Sequence, residues 1–280
     1  MLEILNDLKD ADGHGITVAI VDSGVEGDHP WVGGRLVASY EVVQTSKRTH
    51  KVVKAKPNDG YGHGTAAAGQ IRRFAPAADL ISIRVLDESL RTTSQALLAA
   101  LKWLADPGNN CPIHVVNLSL STQREQYALR MEHAVDDLYT RDIACICARG
   151  YHLTGRAYPT YFASTIAVTY DHLKPARLKF RPRDLIELEG AGVEVEIAWR
   201  GGVTRVAEGS SYACPLVTGL AARLLSLKPD LTPYELMTLL KAYALRQESG
   251  WREDWMDAVA RAPVDGKISP PPQAPGPAIS

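Results

Sequence analysis

The run Thr17-Val18-Ala19-Ile20-Val21 has strand length, is apolar from Val18 onward, and ends in Asp22-Ser23-Gly24. An unbroken apolar stretch of that length suits a strand buried in a sheet, which places the Asp22 carboxylate at the strand's C-terminal end. In open α/β sheets that edge is where ligands and chemistry collect. Downstream, residues 79–86 read as an alternating strand. Residues 94–104 carry Leu97, Leu98, Leu101 and Leu104 at helical spacing, with Ser94 as the expected cap. Further strands are expected over 114–121, 141–148 and 164–168, with a surface helix over 125–140 whose apolar positions include Leu129, Val135 and Leu138. This strand-helix rhythm implies an α/β fold, a doubly wound parallel sheet with helices on both faces. The 280 residues suit one such domain.

Two other stretches carry candidate chemistry. Gly60-Tyr61-Gly62-His63-Gly64-Thr65-Ala66-Ala67-Ala68-Gly69 sets a histidine between glycines at the start of a run of small residues. Such a run fits a helix N-terminus packed closely on a neighbour. Gly209-Ser210-Ser211-Tyr212-Ala213-Cys214-Pro215 reads as a tight turn feeding a long buried helix through Leu227. A hydroxyl there meets unpaired backbone N–H groups and a helix dipole that favour developing negative charge. A serine at such a place is ordinarily a cap, so the other two stretches decide its reading. Histidine can take and return a proton near neutrality, and a carboxylate on its other nitrogen fixes the tautomer and stabilises the imidazolium. His29, in Asp28-His29-Pro30, is read as a structural turn residue.

The pattern Gly-x-Ser-x-Ala-x-Pro at 209–215 resembles the nucleophile motif of the subtilisin-like serine proteases, and Asp22, His63 and Ser211 follow in that family's chain order. The resemblance runs from about Gly15 to about Ala244 and implies a subtilisin-like sheet and a serine endopeptidase. Hydrolysis would pass through an acyl-enzyme on Ser211, with Asp22-His63-Ser211 as triad and no cofactor or metal. It also implies that Ser119, Leu120 and Ser121 lie along the substrate chain and wall the P1 pocket, although the family's usual glycines are here Ser121 and Thr122. The family's strand ending Ala-Gly-Asn is matched by residues 148–151, with Tyr151 where the oxyanion-binding Asn stands and His152 as the fallback donor. A protease active only when a partner protein or ligand completes the oxyanion hole is the expectation. The other reading is a protease fold that is weakly active or inactive and serves as a binding or regulatory module through a partner.

Composition is that of an ordinary soluble enzyme: 31 basic against 32 acidic residues give a formal net charge of −1, which points to neither nucleic acid nor membrane. The N-terminus has too short an apolar segment for a signal peptide, and no run is long enough to span a bilayer. Cys111, Cys145, Cys147 and Cys214 lack metal-ligand spacing and are expected as free thiols, with Cys145 and Cys147 facing one side of their strand. The strand bearing Asp22 begins almost at once, leaving no room for a folding propeptide. Cytoplasmic location is the expectation.

Residues 37–57, with Lys47, Arg48, Lys51, Lys54 and Lys56, read as a solvated hairpin or loop. Residues 173–184 alternate basic with apolar positions, as an edge strand guarded by charge does. A hairpin is expected around Gly201-Gly202, and a helix from Thr232 with Glu235 completing a capping box. Trp251, Trp255, Met256 and Val259 form a helical stripe expected to pack on the chain's own domain. The division expected is a short segment 1–14, a peptidase domain 15–262 and a flexible proline-rich tail 263–280.

Overall fold

Every residue of Thr17–Asp22 is buried. Val18 and Ile20 point into one hydrophobic core and Ala19 and Val21 into another, so this strand, β1, is covered on both faces. The computed structural model describes residues 2–47, 49–109, 111–149, 155–182, 188–251, 256 and 278–279. Tyr151, His152, Arg183, Trp255, Val259 and the stretch 263–277 lie outside the described residues.

The chain continues through β2 (Leu36–Ser46), β3 (Thr49–Lys54), α1 (His63–Phe74), β4 (Asp79–Arg84), β5 (Arg91–Thr92), α2 (Ser94–Ala105), β6 (Val115–Leu118), α3 (Ala128–Tyr139) and β7 (Ala144–Ala148). Then follow β8 (Thr165–Asp171), β9 (Leu178–Phe180), β10 (Leu188–Ala191), β11 (Val195–Trp199), β12 (Val203–Ala207), α4 (Ser210–Leu227), α5 (Pro233–Glu248) and β13 (Ala278–Ile279). Among the described residues the main sheet has nine strands in the order β3-β2-β4-β1-β6-β7-β8-β10-β9. Its interior pairings are parallel, and β3 and β9 pair antiparallel at the two edges. From β1 the chain winds outward toward β2 and β4, then returns to the other side of β1 with β6. Strand order therefore reverses between β1 and β6, the kind of switch point that opens a crevice at the strands' C-terminal ends.

One core packs α1, α4 and α5 on the sheet and the other packs α2 and α3, the two-faced arrangement expected from the rhythm of the sequence. Leu5 and Leu8 near the N-terminus are buried in the first of these cores, and Arg223 of α4 donates to the Leu8 and Phe74 carbonyls. Helices α1 and α4 approach closely because position 219 has no side chain. A Cβ there would stand 2.6 Å from the Phe74 Cβ and 2.9 Å from the Ile71 carbonyl oxygen.

Several local details differ from the sequence reading. Thr93, not Ser94, caps α2, accepting from the Ala96 N–H, while Ser94 is buried and bonds the Thr122 hydroxyl at 2.9 Å. The helix expected over 125–140 opens with a 3-10 turn, and its α-helical phase turns Met131, Ala134, Val135 and Leu138 inward. Leu129 therefore stands out of that stripe, 64% exposed. The lysine-rich stretch falls on the β2–β3 hairpin, in which Leu36–Ser46 pairs antiparallel with Thr49–Lys54. Strand β9 sits at a sheet edge, where Lys179 pairs with Asp171 and Glu189 and Arg181 pairs with Glu189. The β11–β12 hairpin turns at Gly201-Gly202, and Thr232 and Glu235 form the capping box of α5. Of the C-terminal stripe, Trp251 and Met256 pack on the core, with Trp251 edge-on to Tyr243.

Candidate active site

Asp22, the last residue of β1, and His63, the first of α1, meet in the interior at 1% and 4% exposure. His63 Nδ1 donates to both carboxylate oxygens of Asp22, at 2.7 and 2.9 Å. With its proton on Nδ1, the neutral ring keeps Nε2 as a base. Burial pulls the imidazole's proton affinity down. The charge of Asp22, its hydrogen bond and the charge of Asp59 outweigh that, so the His63 pKa is raised above its ordinary value.

Ser211 lies in the first turn of α4, which starts after Gly209. Gly209 has φ 145°, a backbone region that L side chains rarely adopt, and its N–H donates to the Gly192 carbonyl at 2.8 Å. Ser211 and Ser119 are joined in both directions. Ser211 Oγ donates to the Ser119 carbonyl at 3.4 Å, and Ser119 Oγ donates to the Ser211 carbonyl at 3.2 Å. Below them Asn117 is fully buried, donating to Ser119 Oγ at 3.2 Å and accepting from Thr218 Oγ1 at 2.9 Å. Asn117 is thus turned into the core and committed there.

Cys214, one turn after Ser211, is fully buried and donates toward the Asn117 side chain and the Ile146 carbonyl, each at 3.4 Å. Burial pushes its thiol pKa well up, and the same cause acts on Cys147. All four cysteines are free. Tyr212 packs beside the Asp22–His63 pair, its ring 5.8 Å from that of His63, and joins Tyr61 and Trp199 in a small apolar cluster. His29 uses both ring nitrogens, accepting from the Trp31 N–H and donating to the Val203 carbonyl, which fixes it as a structural residue.

The expected substrate wall continues from β6. Ser119 and Leu120 are buried, Ser121 is half-buried, and Thr122 exchanges two backbone hydrogen bonds with Tyr158, at 2.7 and 2.8 Å. Arg149, at the end of β7, donates to the Gly155 carbonyl at 2.7 Å. Between them fall residues 150–154, with Tyr151 and His152, outside the described residues. The structure thus brings Asp22 to His63 and Ser211 to Ser119, all along the C-terminal edge of the sheet. A further buried acid on this edge, Asp59, carries no signal in the sequence beyond the turn composition Asn58-Asp59-Gly60. Among the described residues no group of three or more His, Cys, Asp or Glu is placed to hold a metal ion, and no helix is long and apolar enough to cross a membrane.

Comparison with known proteins gives a consistent picture. The profile described as the Subtilase family matches residues 13–259. The chain is 28% identical over 240 residues to M-protease of Shouchella clausii (strain KSM-K16), a match covering 82% of this chain and 59% of that protein. It is also 28% identical over 240 residues to Subtilisin Savinase of Lederbergia lenta, covering 82% of this chain and 83% of that one. Among solved structures, a cold adapted subtilisin-like serine proteinase superposes with a TM-score of 0.69 at 25% identity, covering 83% of each chain.

Proposed function

The chain belongs to the subtilase family, and on that footing we propose that it is a serine endopeptidase with Asp22, His63 and Ser211 as its triad. The observation that carries this reading is the buried Asp22–His63 pair, whose geometry leaves Nε2 as the base. In the reaction His63 Nε2 takes the Ser211 hydroxyl proton as Oγ bonds to the scissile carbonyl carbon. The proton then passes to the departing amine as the C–N bond breaks. Water, deprotonated by the same nitrogen, then attacks the acyl carbon; the bond to Ser211 Oγ breaks, Oγ takes the proton back from His63, and the acid is released. An extended peptide would lie along the backbone of Ser119, Leu120 and Ser121, where main-chain hydrogen bonds supply affinity and the pocket beside them selects the side chain.

The Ser211 N–H supplies one oxyanion donor, and Tyr151 stands in sequence where the family's Asn would supply the other. Together with the Ser211 hydroxyl being directed to the Ser119 carbonyl, this supports a conditionally active enzyme that a partner or ligand completes. The same hydrogen bond favours, as second reading, a weakly active or inactive binding module. Four free thiols support action in a reducing compartment such as the cytoplasm. The deciding experiment is labelling of the intact protein with a fluorophosphonate. Covalent labelling that disappears in Ser211→Ala supports the enzyme, whereas a folded protein that stays unlabelled with every candidate partner favours the module.

A further inference from the structure

Asp59 is a carboxylate, 6% exposed, that no step of the proposed reaction uses. Its Oδ1 accepts from Ser23 Oγ at 2.8 Å, the Gly62 N–H at 2.7 Å and the Tyr61 N–H at 3.1 Å. Its Oδ2 accepts from the Thr65 N–H at 2.8 Å and Thr65 Oγ1 at 2.6 Å. Burying an ion is costly unless its hydrogen-bonding sites are filled, and here the full acceptor capacity is taken. Capping a helix asks less: one side-chain acceptor just ahead of the first turn suffices. Asp59 acts from three residues before the Gly62 cap and reaches across to the turn after β1.

That second reach is the informative one. Ser23 hands the connection on in two directions, its N–H donating to Asp22 Oδ1 at 2.7 Å and its Oγ accepting from the Gly64 N–H at 3.0 Å. A single carboxylate therefore grips the segment behind Asp22 and the helical turn that carries His63. We propose that Asp59 is the positioning carboxylate of the catalytic pair, fixing Asp22 and His63 against each other and setting a second negative charge beside an imidazole that turns cationic during catalysis. This rests on the triad reading above.

Among the described residues, the charged and titratable groups that face the pair are these, with Tyr61 and Arg205 acting one step further out on Tyr212. Asp22 faces His63 from β1, Asp59 from the turn before α1, and Tyr212 from α4. Burial raises the Tyr212 pKa, so that hydroxyl stays protonated where His63 titrates. On the outer side of the Asp59 turn, Arg200 donates to the Gly60 carbonyl and Glu88 packs against Gly60. Both are exposed, and solvent screens them. Cys214 senses Asp22 but is held as the neutral thiol.

The test measures the rate of fluorophosphonate labelling of the full chain against pH, between about 5 and 9, for the unmodified protein, Asp59→Asn and Thr65→Val. The His63 ring is titrated by NMR in a Ser211→Ala background with and without Asp59→Asn. Asp59→Asn should slow labelling about 10- to 100-fold, the scale of losing a group that orients a functional side chain, and move the acid midpoint to lower pH. Thr65→Val removes a hydroxyl donor, keeps the charge, and should leave the midpoint in place. A purely structural Asp59 would lower the labelled fraction without moving the midpoint, and that result overturns the proposal, as does an unchanged rate. If Asp59→Asn does not fold, Ser23→Ala carries the test: slower labelling supports the link, and labelling at the unmodified rate overturns it. If the unmodified protein is never labelled, alone or with any candidate partner, the nucleophile reading fails instead, and the NMR titration still decides whether Asp59 acts on His63.

Discussion

One nitrogen of His63 lies within hydrogen-bond reach of both carboxylate oxygens of Asp22, at 2.7 and 2.9 Å, with both side chains removed from water. Sharing the proton donor between two oxygens holds the imidazole against rotation about the axis of a single bond. Water is excluded, so the attraction between carboxylate and imidazolium is stronger than it would be at the surface.

Ser211→Ala, His63→Ala and Asp22→Ala are each expected to abolish peptide hydrolysis while leaving the circular dichroism spectrum and melting cooperativity intact. Residues that act as a unit lose activity non-additively, so His63→Ala/Ser211→Ala should be barely slower than either single variant. Asp22→Asn, which keeps the shape and reverses the tautomer preference, should cost about 10⁴ in kcat. Substantial cleavage by purified Ser211→Ala would show that another group is the nucleophile.

The raised pKa of His63 fixes the direction of the pH response. As the base it works only when neutral, so the acid limb of kcat/KM should have its midpoint above the ordinary imidazole value of about 6.5. Stability carries the opposite sign. Because folding favours the protonated ring, this contribution is fully present below the unfolded-state pKa and is lost as pH rises through the higher folded-state value. A pH-rate profile and denaturant midpoints for the native protein and His63→Gln check both. An acid limb at or below the ordinary value would contradict the reading of the site.

Tyr151→Asn should raise kcat on a peptide substrate, because a short amide presets a donor toward the oxyanion. Losing such a donor in subtilisin costs about 10²–10³ in rate, or about 2.7–4 kcal/mol. Tyr151→Phe should lower the rate only if the phenol already donates, and His152→Ala separates that case from donation by the imidazole. Fast turnover by the unmodified protein alone, untouched by Tyr151→Phe, would rule out conditional activation through this residue.

Gly219→Ala tests how the helices hold the site. The added methyl would crowd the Phe74 Cβ and the Ile71 carbonyl, and overpacking of about 1–3 kcal/mol outweighs the roughly 1 kcal/mol that alanine gains in a helix. A lower denaturant midpoint is expected. Since α1 carries His63 and α4 carries Ser211, kcat should fall with it, though position 219 is two turns from the nucleophile. Unchanged stability would mean that the helices separate freely.

Reductant should leave the melting temperature unchanged, because all four cysteines are free thiols. Alkylation of the unfolded, unreduced protein should add four labels by mass. In the native state Cys145, Cys147 and Cys214 should resist, being buried with Cys147 and Cys214 held protonated.

What could be read from the sequence follows from what is local. The β1 run, the capping box at Thr232 and Glu235 and the Gly201-Gly202 turn are written in adjacent residues, and each forms as expected. Thr93 and Ser94 both suit a cap, and only the tertiary pull of Thr122 on Ser94 decides between them. Leu129 fits a helical stripe until the preceding 3-10 turn shifts the phase. The bond from Ser23 to Asp59 is not legible in the sequence, because the two residues lie 36 positions apart and no spacing rule connects them. The family resemblance singles out Asp22, His63 and Ser211 as candidates for a triad, but the pairing of Ser211 with Ser119 depends on how α4 meets the end of β6.

The antiparallel edges have a further consequence for a protein proposed to seize extended chains. At one end of the sheet β3 closes a hairpin, and at the other β9 is clamped by the ion pairs of Lys179 and Arg181. To thread either edge into the cleft of a second molecule, several ladder hydrogen bonds would have to break together, and at β9 its ion pairs with them. Self-digestion at high concentration should therefore nick surface connections first and leave the sheet whole. A proteolysis time course would then show a few large fragments that remain associated, and the order of their appearance would map the weakest turns in the chain.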